Sequence, residues 1–502
     1  MREIFLMFAG LLLLAAVPAS GAVTCESLSS LKLTDGSINA AQTVSAGTFK
    51  VPGQRGEQNG PVKDLPGFCR VTATLTPSSD SDIKIEVWLP TSNWNRKFQA
   101  VGNGGWAGSI SYPELMEALR SGYATASTDT GHTGGTGSFA LGHPEKLIDF
   151  GYRAVHEMTV KAKSIITEYY GRAPQYSYWN GCSAGGRQGL KEAQRYPGDF
   201  DGIIAGASAN PRTRLSAWEL WVGQATLKDP ESYIPKTKYP MIHQAVLAQC
   251  DAIDGLKDGL IQDPRQCHFD PKVLACKAED GPNCLTAPQV RAATQIMSAP
   301  KNSKTGEEIY FGLEPGTELG WSVLAGGPNP FMTAADQFKY VVYKDPNWDW
   351  RNLNIERDVL LADEADNDTI NAKPDLKAFA ERGGKLLMYH GWSDPNVAPR
   401  ASINFYDTAV DKLGGPAKNA NWIRLFMEPG MAHCRGGEGP NDFDKMTAME
   451  RWVEEKKAPD QIIASHSSNG KVDRTRPLCP YPQVATYKGS GSIDDAANFQ
   501  CK

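Results

Sequence analysis

Apolar and polar residues alternate over residues 68–75 (FCRVTATL) and 83–89 (IKIEVWL), the two-residue period of half-buried strands expected to pair antiparallel. Two short apolar runs follow, at 98–101 and 123–127. Each runs into a glycine-rich stretch, GNGGWAGS after the first and TDTGHTGGTG after the second. The spacing of Leu147, Ile148, Val155, Met158, Ala162, Ile165 and Ile166 predicts an amphipathic helix over 145–170, stopped by Gly171. A strand at 176–180, a tight turn, a helix through Tyr196 and a strand over 201–208 come next. This rhythm of strand, turn and helix implies an α/β fold with a parallel sheet flanked by helices.

After Asn210 the pattern changes. Residues 211–372 are rich in Pro, Trp, Asn and charged side chains and hold four of the ten cysteines. The earlier rhythm resumes with GGKLLMYHGWSDP (383–395), a helix from about 399, the strand-like NWIRLFMEPGMAHC (421–434) and a helix around 442–457. The chain therefore divides into a catalytic body, 23–210 with 373–502, and an insertion, 211–372, expected to cap the C-terminal edge of the sheet. Open α/β sheets place their sites at that edge. About 480 residues also exceed what one simple core holds.

The first residues add a compartment. Arg2 precedes an apolar run from Ile4 to Val17 and small residues from Ala19 to Ala22, the pattern of a secretory signal peptide over 1–22. A membrane anchor is the alternative, but the run has roughly 14 apolar residues against the ~20 that span a bilayer. An exported chain makes ten cysteines, an even number, a disulfide framework. A net charge of −5 with both signs interspersed gives no nucleic-acid footprint, and no internal repeat is present. Asn367-Asp368-Thr369 is a glycosylation sequon.

The chemistry centres on NGCSAGG. Gly181, Ser183 and Gly185 form G-x-S-x-G between a strand and a helix, the nucleophile elbow of a serine hydrolase. A serine hydroxyl needs an imidazole base, and the base needs an orienting carboxylate. In chain order Ser, Asp, His, the candidates are Asp394 after the strand KLLMYHGW and His433 in a glycine-rich loop after WIRLF. His132 and His390 are weaker alternatives for the base, and Glu438 and Asp442 break the order for the acid. Cys182 touches Ser183 in sequence and Cys434 touches His433, so a working triad brings the two cysteines together as a staple. A Cys/His metal site is the rival, without the CxxC pair it usually needs. The oxyanion hole is expected from the N–H groups of Ala184 and Gly105, with Gly104 and Trp106 as alternatives for the second donor.

In the insertion, CDAIDGLKDGLIQDPRQC sets Asp251, Asp254 and Asp258 on a loop with Gly255 and Gly259, bracketed by Cys250 and Cys267. Hard oxygen donors on tight turns suit Ca²⁺, with the carbonyls of Leu256 and Leu260 completing the shell. The register is not an EF-hand. A solvated acidic turn is the alternative.

Taken together, Cys-Ser at 182–183, Asp394 and His-Cys at 433–434 resemble the CS-D-HC signature of the tannase and feruloyl esterase family. GNGGWAG, STDTGH, FDGIIAGA, the acidic loop and YHGWSDP extend the resemblance over nearly the whole mature chain. It implies an α/β-hydrolase domain, an inserted lid domain, and a structural Ca²⁺ held by Asp251, Asp254 and Asp258 through side chains and by Leu256 and Leu260 through carbonyls. It also implies the pairs Cys25–Cys69, Cys182–Cys434, Cys250–Cys267, Cys276–Cys284 and Cys479–Cys501. The expected activity is that of a secreted serine carboxylesterase on small aromatic acyl esters, feruloyl esters first. Galloyl esters and mono(2-hydroxyethyl) terephthalate-type half-esters are the alternatives. No organic cofactor, nucleic acid or membrane partner is expected, and the oligomeric state is left open. Trp218, Trp221, Trp321 and Phe331 offer a flat slot for a ring, or the core of the insertion. A non-catalytic binding module on this fold, and a peptidase or thioesterase with the same triad, are the competing classes.

Overall fold

The computed structural model describes residues 23–53 and 60–502; the expected signal peptide lies outside them. Nine strands form one sheet: β1 (Gly36–Val44), β2 (Phe68–Leu75), β3 (Ile83–Pro90), β4 (Lys97–Val101), β5 (Ala124–Thr128), β6 (Tyr176–Cys182), β7 (Gly202–Gly206), β8 (Lys385–Gly391) and β9 (Ile423–Glu428). Their order is β1-β2-β3-β5-β4-β6-β7-β8-β9. The first four in that order pair antiparallel, and from β5 onward every neighbour is parallel.

Burial explains the two strand patterns. β7 and β8 are buried along their whole length and read as near-continuous apolar runs, whereas β2 keeps a buried and half-buried alternation. Edge strand β1 (GSINAAQTV) is mostly exposed and has no apolar alternation, which is why the hydrophobic pattern did not reveal it. The expected helix over 145–170 is interrupted: a wider π-helical turn at Asp149–Arg153 precedes the helix Ala154–Tyr170. There Gly151 packs under the insertion, where a Cβ would meet the Thr369 carbonyl oxygen at 2.6 Å. Past β9, Asp442–Phe443 opens a small antiparallel sheet with Ile462–Ser468 and Lys471–Leu478, and the helix expected from 442 runs over Lys445–Glu455.

Between β7 and β8 the chain builds helices Arg212–Leu227, Tyr239–Cys250, Ala287–Met297 and Ile355–Asp366 around their own apolar core. Trp218 and Trp321 are fully buried in it, so neither is a wall for a substrate ring. Buried cations fix the return of this segment to the body. Arg187 donates to the carbonyls of Gly151 (2.9 Å) and Ile370 (3.0 Å), and the Lys191 ammonium to those of Asp368 and Asn371 (both 2.8 Å).

Strand register decides where the loops meet. Val101 pairs with Asn180, Cys182 with Gly206, Gly206 with Tyr389, and Gly391 with Glu428. The residues after these partners therefore leave one edge of the sheet together: the GNGG loop, Ser183, the insertion, Asp394 and the His433 loop.

Candidate active site

β6 ends at Cys182 and the helix Ala184–Arg195 begins one residue after Ser183, which is left at the turn with φ 62° and ψ −122°. A non-glycine residue there is strained, by about 1–3 kcal/mol for such conformations. Its neighbours must be small. A Cβ on Gly181 would lie 2.5 Å from the Gly185 carbonyl oxygen, and one on Gly185 would lie 3.1 Å from the Gly102 Cα. The turn is locked by its backbone: Ser183 N–H donates to Gly206 (3.0 Å), and the Ser183 carbonyl accepts from Arg187 (3.0 Å) and Ala209 (3.1 Å). Ala184, first in its helix, has an N–H without an intrahelical acceptor.

The loop after β4 is held against this turn. Gln188, on the helix after Ser183, donates to Asn103 Oδ1 (2.9 Å), and Asn103 donates to the Ala107 carbonyl (2.9 Å). His132 lies on Phe139 with ring centroids 3.7 Å apart, its Nε2 2.8 Å from the Trp106 carbonyl. Burial pushes its imidazole down, so it donates to that carbonyl as a neutral ring. His132 thus supports the GNGGWAG loop. Gly105 adopts φ 56°, and Trp106 Nε1 donates to the Thr333 carbonyl of the insertion (2.8 Å).

His433 and Asp394 meet directly, His433 Nδ1 to Asp394 Oδ2 at 2.7 Å. The same Oδ2 faces His390 Nε2 at 3.0 Å, while Oδ1 accepts from the backbone N–H groups of Asn396 (2.8 Å) and Val397 (3.0 Å). Burial alone would raise this carboxyl. The charge of His433 and the hydrogen bonds of His390 and His433 overcome it and hold Asp394 well below the usual carboxylate range. For His433 burial favours the neutral ring, but the Asp394 charge and hydrogen bond win, and the imidazole is raised.

The serine and histidine are joined through their neighbours. Cys182 and Cys434 form a disulfide with Cα atoms 6.0 Å apart across 252 positions of sequence. Among the described residues no hydrogen bond links the Ser183 hydroxyl to the His433 ring, a contact that often tightens only with substrate bound. The other pairs are Cys25–Cys69, Cys250–Cys267, Cys276–Cys284 and Cys479–Cys501, and no cysteine is free. Glu438 lies beside His243 (2.9 Å), away from the acid's position, and Asp442 belongs to the small sheet.

The acidic loop of the insertion gathers like charges. Asp254 is raised by burial and then by Asp258 and Asp251, with a backbone hydrogen bond from Leu256 and the Arg476 charge opposing. Asp251 accepts from the N–H groups of Asp258 (3.1 Å) and Gly259 (3.2 Å), and Leu256 and Leu260 donate to Asp254 and Asp258. One Asp258 oxygen is committed to Arg476 at 2.8 Å. The side-chain oxygens of the three aspartates do not converge on one point. Carboxylates on tight turns are the donor type that a hard divalent cation takes, but here their oxygens accept from backbone N–H groups and Arg476.

Sequence reasoning missed the roles of His390, Asn103 and Gln188. Their signal was local, in YHGWSDP, GNGG and GGRQ, but side-chain hydrogen bonds, whether across the turn after β8 or between Gln188 and Asn103, leave no periodicity.

A sharp strand-to-helix serine at the carboxyl edge of a largely parallel sheet, with an Asp–His pair delivered by later strands, is the arrangement of an α/β-hydrolase. Comparison with known proteins narrows this. Residues 69–502 match the family model for tannase and feruloyl esterase. An uncharacterised esterase of Xanthomonas campestris pv. campestris is 40% identical over 536 residues, covering 96% of this chain and 92% of that protein. A probable feruloyl esterase B-2 of Neosartorya fischeri is 34% identical over 455 residues, 86% of each chain. The crystal structure of feruloyl esterase B from Aspergillus oryzae superposes with a TM-score of 0.89 at 32% identity, covering 95% of this chain and 99% of that one. The chain belongs to the tannase and feruloyl esterase family and is a carboxylic ester hydrolase.

Proposed function

We propose that this esterase cleaves aromatic acyl esters, feruloyl esters foremost, through an acyl-enzyme on Ser183. The observation that supports the reading is the Cys182–Cys434 bond, which ties the residue before the elbow serine to the residue after His433, whose Nδ1 faces Asp394. His433 Nε2 takes the hydroxyl proton as Ser183 Oγ attacks the ester carbonyl, and Asp394 stabilises the imidazolium. The N–H groups of Ala184 and Gly105 bind the oxyanion. His433 returns the proton to the departing alcohol. Water, deprotonated by the same ring, then releases the acid and frees Ser183.

The feruloyl preference is supported by the relatives, of which two carry feruloyl esterase in their names. The segment between β7 and β8 acts in this reading as the lid domain over 211–372. Met332 is about half exposed beside Thr333, whose methyl lies 3.9 Å from a Cβ placed on Gly105. Exposed Leu319 and Val323 flank Gly320, which abuts Pro395 next to the acid. These side chains offer an apolar rest for the acyl ring. Calcium is proposed for the Asp251–Leu260 loop as a structural ion, with no part in ester chemistry. Export is supported by five disulfides and by the apolar leader.

The test is a hydrolysis panel on enzyme recovered from an export-competent host, its intact mass expected to start near Val23. Methyl ferulate and methyl p-coumarate should turn over faster than methyl gallate and mono(2-hydroxyethyl) terephthalate, with loss of at least about 10³-fold in Ser183→Ala. Preference for gallate or the terephthalate half-ester would reassign the acyl group. No turnover of any ester would refute the reading.

A further inference from the structure

Asp394 carries one more partner than a triad requires. A carboxylate offers about four lone-pair positions. Here all four are taken, by two backbone N–H groups, His433 and His390, and the side chain is fully buried. His390 is itself fully buried in β8. Its Nε2 faces two acceptors, Asp394 Oδ2 at 3.0 Å and the Val397 carbonyl at 3.1 Å. A ring nitrogen between two acceptors must carry the hydrogen. Its Nδ1 faces the hydroxyl of Ser402 at 2.8 Å, a group able to donate. Both nitrogens are thus satisfied by a neutral ring, with no second proton required.

We propose that His390 is a positioning residue for the catalytic acid: as the neutral Nε2–H tautomer it shares Asp394 Oδ2 with His433, fixing the carboxylate's plane and limiting its pull on the His433 proton. The inference rests on the triad reading above and deepens it. The physical content is competition for one oxygen. Each donor to a carboxylate stabilises its charge and lowers its basicity. Without His390, more of the negative charge on Oδ2 is directed at His433 Nδ1–H, and the imidazolium becomes easier to form and harder to discharge onto the leaving alcohol. Ser402 holds the tautomer, and the loop 394–397 is closed on itself because Val397 donates to one Asp394 oxygen and accepts from His390.

The other titratable groups near Asp394 come from the insertion. Glu219, on the helix Arg212–Leu227, is pushed up to about 8 by burial and the Asp394 charge, against Arg212. Tyr310 is raised well above its ordinary value by burial, with Glu219 and Asp394 adding to it. Glu219 therefore titrates close to where the acid limb is read, so the limbs are compared in a Glu219→Gln background, whereas Tyr310 stays uncharged there.

Two measurements test the proposal. In ¹⁵N-histidine-labelled enzyme, with His390 assigned by its loss in His390→Gln, the wild-type ring should show a protonated Nε2 and a bare Nδ1 under the conditions of the activity assay. In His390→Leu the acid limb of kcat/KM should move up by about half a unit or more. There kcat should fall roughly ten-fold with KM within about two-fold, and His390→Gln, whose amide can still donate to Oδ2, should restore the limb. A bare Nε2 or an imidazolium in the wild type overturns the proposal. So does a folded His390→Leu with unmoved limb and kcat. If His390→Leu does not fold, the wild-type tautomer decides alone. Failure of the triad reading is a different result: activity surviving Ser183→Ala.

Discussion

His433 is the residue on which activity should depend most visibly. Only its neutral ring accepts the serine proton, so kcat/KM falls as pH drops through its pKa. Asp394 favours the imidazolium and raises that pKa above the ordinary imidazole value. The sign follows: protonation persists to higher pH, and the acid limb should lie above about 6.5, the free imidazole value. Asp394→Asn removes the charge, and a pH–kcat/KM series should show the limb moved down with activity lower by about 10³–10⁴-fold. A limb unmoved by that substitution would mean another acid supports the base. At this scale the sequence was highly legible. Ser183, Asp394 and His433 stood out because the elbow motif and the chain order encode chemistry locally. His390 did not, because a buried histidine in an apolar strand reads as core until its partners are seen.

The elements matter through what joins them. The helix Ala184–Arg195 and the loop after β9 that carries His433 are far apart in sequence, and the Cys182–Cys434 bond ties them together. Closing a loop of about 250 residues stabilises by roughly 5 kcal/mol in the chain-entropy model, less any native strain. Replacing both cysteines by alanine should therefore lower Tm by several degrees. It should also cut kcat by about ten-fold or more, since loosened catalytic geometry is costly. Unchanged kcat at a temperature where the variant is folded would leave the bond a structural staple only. The strand-rich elements were read from their periodicity where one or both faces are buried. Edge strand β1 is mostly exposed, so burial imposed no pattern on it, and Gly151 in the π-helical turn at Asp149–Arg153 packs against Thr369, far along the chain.

At the scale of the whole molecule, the insertion and the body are coupled on both sides of the site. Trp106 of the β4 loop bonds Thr333, Arg187 and Lys191 hold residues 368–371, and Val397 and Ala398 beside the acid belong to the insertion's apolar core. The acidic loop adds a further tie through Asp258 and Arg476 of the C-terminal sheet. If calcium fills that loop, chelation should lower Tm by several degrees in a thermal melt, and Ca²⁺ should restore it more fully than Mg²⁺. An identical melt with and without chelator, on enzyme shown to be metal-free, would leave a solvated acidic turn. Activity at low temperature should change little, because no catalytic step uses the ion.

The sequence by itself determined the fold class and the strand-to-helix turn at Ser183, and it singled out Asp394 and His433 as the proposed acid and base. These depend on local periodicity, turn chemistry and motif spacing, which neighbouring residues specify. The tertiary structure alone decided the strand order and register that bring five loops to one edge. It also placed Trp218 and Trp321 in the core rather than at the site, made His132 a support for the GNGG loop, and gave Asp394 its fourth donor. Most of these depend on partners far along the chain, and even the His390–Asp394 pair is set by the turn between them; in each case a hydrogen bond satisfies a buried group without leaving a pattern in the chain around it.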